Sequence, residues 1–163
     1  MSEEWLIDGY NLLHDLAGRR RGRSGALPLA EKGALFAALA GFAASGSRRV
    51  TVVLDGVGRD AEFGAYRTAV FEVVHSQKVS ADTYIERRIA EQKDRSRIVV
   101  VTRDRAIVTF ARGAGARVTD PGELLDLLKA EDRAHDETLF KHRIAGHGFN
   151  RPFDRKLKDK GAS

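Results

Sequence analysis

Short runs of valine and isoleucine recur along this 163-residue chain, alternating with stretches whose apolar residues fall at helical spacing. Strands buried on both faces read as unbroken apolar runs, and strands that alternate with helices pair in parallel. The pattern therefore specifies an α/β fold, a three-layer α/β/α sandwich around a central, mainly parallel sheet. Trp5 to Asp8 reads as the first strand, followed by a loop. Leu35, Leu39 and Phe42 then share one face of an alanine-rich helix over 29–44, which Gly46 stops. Residues 50–55 and 68–74 read as the next two strands, and Ala81, Ile85 and Ile89 as the buried stripe of the helix after them. The run 98–102 is the most apolar of all and is expected centrally; it leads into Asp104 and a short helix ending near Gly113. Arg117 to Thr119 reads as a fifth strand. Asp120-Pro121-Gly122-Glu123 then announces a helix over 123–131, with Asp as N-cap, Pro at the first helical position and Glu as the partner in a capping box. Past Asp132 the pattern is broken by Gly146, Gly148, Asn150 and Pro152. This gives one globular domain over 1–132 and an extended or disordered basic tail over 133–163.

The chain has no cysteine, which excludes disulfides and thiolate metal sites and points to a reducing, cytoplasmic setting. Its N-terminus lacks the basic and apolar regions of a leader, and no apolar run is long enough to span a bilayer, so no membrane partner is expected. Lys and Arg number 28 against 23 acids, a net +5, with a pI near 9.7. That surplus favours a polyanionic partner. It is concentrated in Arg19, Arg20, Arg21 and Arg23 and again toward the C-terminus, in Arg151, Arg155, Lys156, Lys158 and Lys160.

The acids are placed differently. Ligands of open parallel sheets bind outside the carboxyl ends of the strands, where strand order reverses. Asp8 and Asp55 each close a strand and precede a glycine that lets the chain turn sharply; Asp104 lies just past the fourth strand, and Asp82 opens the helix after the third. Carboxylates gathered this way repel one another unless a cation lies between them, and oxygen donors without histidine or cysteine select Mg²⁺ or Mn²⁺ over zinc. Such a cation acidifies a bound water for attack on a phosphodiester. A simpler role exists for each acid: Asp82, Asp104 and Asp120 all stand where helix N-caps stand, and the cap reading is the stronger one for Asp120.

At Asp8-Gly9-Tyr10-Asn11 the sequence resembles the YacP-like branch of the NYN domains. The resemblance continues in order through Asp55 of VVLDG, Ser80-Ala81-Asp82 with Ile85-Glu86, and Thr102-Arg103-Asp104, spanning Trp5 to Glu131. It implies a PIN-like fold and a divalent-metal-dependent endoribonuclease, with relatives linked to cleavage of mRNA on the ribosome. Carried over residue by residue, Asp8, Asp55, Asp82 and Asp104 are the metal-binding carboxylates, and Asn11 positions a water or a phosphate. Glu86, one helical turn beyond Asp82, either joins them or is a solvated charge paired with Arg87 or Arg88. Arg103 and Arg105 flank Asp104 and either grip phosphate or compete with the metal.

His14, His75, His135, His142 and His147 show no ligand-pair spacing; His14 reads as a surface or substrate contact, and Tyr10 either stacks on a base or packs, with packing the favoured reading. The chain has no phosphate-binding GxxxxGK[ST] loop, and Asp8 has no second Asp two residues on, so the nucleotide-binding and phosphatase versions of the fold are disfavoured. The rival is a binding module with a vestigial acidic site that docks on ribosomal or messenger RNA.

Overall fold

The computed structural model describes residues 2–20 and 26–146. Contacts divide the chain into a unit of Met1–Leu128 and a unit of Lys129–Ser163. In the first, five strands, β1 (Glu3–Asp8), β2 (Arg48–Leu54), β3 (Phe71–His75), β4 (Ile98–Val101) and β5 (Arg117–Thr119), form one sheet in the order β3-β2-β1-β4-β5. Every pairing is parallel. The helices are α1 (Gly9–Gly18), α2 (Leu29–Ser45), α3 (Ala81–Glu91), α4 (Arg105–Ala114) and α5 (Pro121–Gly146). β1 holds the centre, with the apolar β4 beside it.

Strand alternation divides the core in two. Trp5 and Ile7 of β1, Val50 and Val52 of β2 and Val99 and Val101 of β4 pack with Leu12 of α1, with Phe36, Leu39 and Phe42 of α2, and with Leu124 and Leu128 of α5. Their neighbours Leu6, Val53, Ile98 and Val100 face the other way, against Ile85 and Ile89 of α3 and Ile107 and Ala111 of α4. Each fully buried large side chain contributes about 1.5–3 kcal/mol. Aromatic edges tighten the first layer, Trp5 meeting Phe42 at 5.0 Å and Phe36 meeting Phe63 at 5.0 Å, both T-shaped.

Three expectations change. The loop after the first strand is the helix α1, with Leu12 buried beneath it. The third strand begins at Phe71, because Thr68 turns the chain by accepting the Val70 and Phe71 amides through its hydroxyl, at 3.2 and 3.0 Å. α5 does not stop at 131: residues 132–146 lack an apolar stripe but are rich in good helix formers, and their propensity carries the helix to Gly146. Of the unit 129–163, the described residues are this helical stretch, where the Thr138 hydroxyl bonds the Ala134 carbonyl at 2.8 Å. Among the described residues, no helix is long and apolar enough to cross a membrane.

Candidate active site

The chain runs outward from β1 to β2 and β3 and returns on the other side as β4, so strand order reverses between β1 and β4. The carboxyl ends of those two strands meet there. Alternation that sends Trp5 and Ile7 to one layer sends Leu6 and Asp8 to the other, toward the N-termini of α3 and α4. Asp8 is only 4% exposed. Its carboxylate accepts the Asn11 side-chain amide at 2.6 Å, the Thr102 hydroxyl at 3.2 Å and the Asn11 backbone N–H at 3.4 Å, capping α1. Burial pushes this carboxyl above its ordinary value, against the downward pull of those bonds and one from the Tyr10 backbone.

The glycines flanking the two strand-end aspartates serve different ends. Gly56, after Asp55, adopts φ +92°, the left-handed region. Gly9, after Asp8, is helical and has no unusual φ; it is required by space, since a Cβ there would stand 2.6 Å from Leu54 Cδ2 and 2.8 Å from the Val53 carbonyl oxygen. The expected sharp turn at Gly9 is thus a close approach of α1 to β2.

Asp55 reaches across to α3 and accepts the Ala81 amide at 2.8 Å. The α3 cap itself is Ser80, whose hydroxyl accepts the Thr83 amide at 3.1 Å, so the cap reading fails for Asp82. Asp82 instead faces other acids: burial first, then the charges of Asp104, Asp8, Glu86 and Asp55, push its carboxyl up. Glu86 acts on Asp82, while Arg88 is engaged by Glu4 at 2.5 Å. Asp104 does cap its helix, accepting the Ala106 and Ile107 amides at 2.8 and 3.4 Å. Its own amide donates to the Thr102 hydroxyl at 3.1 Å, and that hydroxyl donates to Asp8. Thr102, 3% exposed, therefore links two acids of the cluster. Its place in Thr102-Arg103-Asp104 is the only sequence signal for that role.

The described His, Asp and Glu side chains form no ready-made group of three around an ion. The chemistry of the donor set nonetheless suits a hard divalent cation: the candidates are all carboxylates, and the charges of four other acids act on Asp82 as repulsion that a cation would relieve.

Of the four described arginines expected to bind RNA, three are tied to the protein. Arg103 pairs with Asp15 of α1 at 2.6 Å and with Asp120 at 2.7 Å, and its backbone amide donates to the Asn11 side-chain oxygen at 3.1 Å. Arg19 joins Asp15 at 3.2 Å, Asp126 at 2.7 Å and the Gly122 carbonyl at 2.9 Å, and Arg20 pairs with Glu31 at 3.1 Å. Asn11 thus spends its amide joining Asp8 to the loop that carries Asp104. Arg105 is exposed at the start of α4. Arg21, Arg23, Arg151, Arg155, Lys156, Lys158 and Lys160 lie outside the described residues. Asp120 caps α5 through the Gly122 amide at 2.7 Å, as its sequence predicts, and the Arg103 guanidinium holds its carboxyl below the ordinary value.

A pH dependence follows from that pair. A carboxyl held low contributes stability that is present above its unfolded value, about 3.9, and is lost as pH falls through the lower folded value. Arg103→Ala is expected to melt below the wild type at pH 7, and the gap to narrow in acid. A gap of constant size from neutral to strongly acidic pH would assign the effect of Arg103 to packing.

Comparison with known proteins agrees with the fold. The model of the YacP-like NYN domain family matches residues 5–161. The chain is similar to the crystal structure of Rae1 (YacP) from Bacillus subtilis, with a TM-score of 0.69 at 20% identity over 97% of this chain and 91% of that one. A mutant of the same Bacillus subtilis protein aligns with a TM-score of 0.68 at 23% identity over 89% of this chain and 85% of that one. Identities this low speak for the shared NYN fold alone. No curated protein matches the sequence.

Proposed function

The chain belongs to the YacP-like NYN domain family, and on that premise we propose that it is a metal-dependent endoribonuclease that hydrolyses RNA phosphodiester bonds with Mg²⁺ or Mn²⁺. One observation supports the reading: at the edge where strand order reverses, Thr102 bonds both Asp8 and the Asp104 amide, Asp55 bonds the first residue of α3, and the charges of Asp104, Asp8 and Asp55 all act on Asp82.

Asp8, Asp55, Asp82 and Asp104 would hold the cation, with Glu86 beside them. The cation supplies an acidified water and offsets charge on the phosphate. The protein's own part is preorganisation. Asn11 and Thr102 keep the Asp8 carboxylate in one orientation although it is buried, and Thr102 fixes Asp104 relative to it. The Thr102 hydroxyl is engaged with Asp8 and the Asp104 amide, so direct attack by water suits the residues present better than a covalent intermediate. Arg105 and the basic residues 151–160 are proposed to hold the RNA backbone, which the acidic edge alone repels. The family resemblance extends the proposal to mRNA on the ribosome in the cytoplasm.

The test is cleavage of a single-stranded RNA by the full chain with chelator, with Mg²⁺ and with Mn²⁺, alongside thermal melting in the same buffers. Cleavage is expected only with metal, and metal is expected to raise the melting temperature, because a ligand bound by the folded state alone stabilises it. RNA binding without cleavage under every metal condition would replace the enzyme by a non-catalytic RNA-binding module.

A further inference from the structure

Tyr10 is the one residue of Asp8-Gly9-Tyr10-Asn11 that the chemistry above leaves without a task. It was expected to pack, yet it is 69% exposed. A tyrosine in the first turn of a helix whose next residues include the buried Leu12 has an apolar surface to pack on, and this ring does not use it. Its only ring contact among the described residues is with His14, one helical turn on and itself exposed: the ring centroids lie 6.0 Å apart and the planes 25° from parallel. The histidine thus braces the phenol ring on one side and leaves an aromatic face to solvent. The backbone under the ring is anchored at its neighbour, since the Asp8 carboxylate caps the helix by accepting the Asn11 N–H. A second exposed apolar side chain emerges at the same edge, Val57, 83% exposed and two residues past Asp55 on the neighbouring strand's exit. Thus both strands that deliver a cluster aspartate on this side also deliver an uncovered apolar group to the rim.

We propose that Tyr10, braced by His14, is a stacking platform for one unpaired nucleobase of a single-stranded RNA, placed next to the phosphate presented to Asp8. The occupant follows from the chemistry of the rim. A flat, exposed aromatic ring two residues along the chain from Asp8 suits a ligand with a π-face and an adjoining phosphate, and every base offers that face whatever its sequence. A base-paired RNA keeps its bases stacked inside the helix and cannot use the platform, so the site selects single-stranded segments. Substrate selection here rests on the nuclease reading above.

The test is a cycle between the protein and the RNA. An oligoribonucleotide is made with one abasic position moved along its length, and its affinity for the full chain is measured in chelator, where cleavage is not required. Tyr10→Ala is expected to weaken binding of the intact oligonucleotide about 5- to 100-fold, the scale of one base–aromatic stack. One abasic position should cost the wild type a similar factor and cost Tyr10→Ala nothing further. Tyr10→Phe should bind as the wild type does. Tyr10→Leu, which keeps bulk without a π-face, should resemble Tyr10→Ala, and His14→Ala should lose a smaller factor. In metal, the Tyr10→Ala defect should appear in KM with kcat largely kept. The proposal is overturned if no abasic position depends on Tyr10, if Tyr10→Leu restores binding, or if the loss falls on kcat alone, which would make Tyr10 a positioning residue for Asp8. Because the cycle is read from binding in chelator, an inactive wild type would sink the nuclease reading and leave the stacking result standing.

Discussion

Asp82→Asn is expected to lower RNA cleavage by roughly 10³-fold or more, the upper range for removing one group that stabilises developing charge, and to melt at a higher temperature than the wild type when metal is absent. The two effects have one source. Burial first, and then the charges of Asp104, Asp8, Glu86 and Asp55 acting together, push the Asp82 carboxyl up. An amide of nearly the same size removes a repelled charge and leaves the packing of α3 unaltered. Added Mg²⁺ or Mn²⁺ should reverse the order, raising the wild type and leaving the variant unmoved. Full activity in Asp82→Asn would dismiss the aspartate cluster as the reacting site. A lower melting temperature in chelator would show that the cluster is not strained by its own charge. Glu86→Gln, one turn farther along α3, is expected to lose less activity.

Gly9→Ala should have the largest effect on stability. The added carbon would stand 2.8 Å from the Val53 carbonyl oxygen and 2.6 Å from Leu54 Cδ2. Leu54 can rotate away, but Val53 sits in the ladder of β2 against β1, so its oxygen cannot retreat without disturbing the pairing of Asp8 with Val53. Overpacking of this kind costs about 1–3 kcal/mol, which for a domain this size lowers the melting temperature by roughly 3–10 °C. Because the displaced residue is next to Asp8, activity should fall further than stability alone accounts for when both are measured well below the melting point. A variant with wild-type melting and turnover would mean that α1 tilts off β2 freely. Gly56→Ala is a different experiment, since its strain lies in the positive φ and no atom stands near the added carbon.

The parts of the fold visible in the sequence are those governed by burial and by local capping. Val50, Val52, Val99 and Val101 announce strands because both faces of the sheet are covered, and Asp120 with Glu123 announces a helix start because the partners are three residues apart. Asp8, Asp55, Asp82 and Asp104 stand out as candidates for the same reason, as each sits at a junction that the strand pattern reveals. What long-range pairing decides could not be read. Nothing near Arg103 signals that its partners are Asp15 and Asp120, so phosphate seemed as good a destination as any. The role of Asn11 is legible only in part, because its bond to Asp8 is a local capping contact three residues away whereas its bond from the Arg103 amide spans most of the chain. α1 is hard to see in the sequence because a Gly-Tyr-Asn start carries no strong helix signal, although Leu12 and Leu16 do keep helical spacing. Tyr10 was misread in the opposite sense: aromatic residues near a core usually pack, and only the direction of the α1 face shows that this one does not.

The alternation along β1 has a consequence for how such a site can change over time. Trp5 and Ile7 fill one layer, and Leu6 and Asp8 point into the other. A single inserted or deleted residue in this strand would exchange the two sets, carrying Asp8 to the α2 side and forcing Trp5 toward the layer packed by Ile85 and Ile107. Chemical register and folding register are therefore one variable. An indel within β1 breaks the packing of both layers and takes Asp8 away from Thr102 in one step.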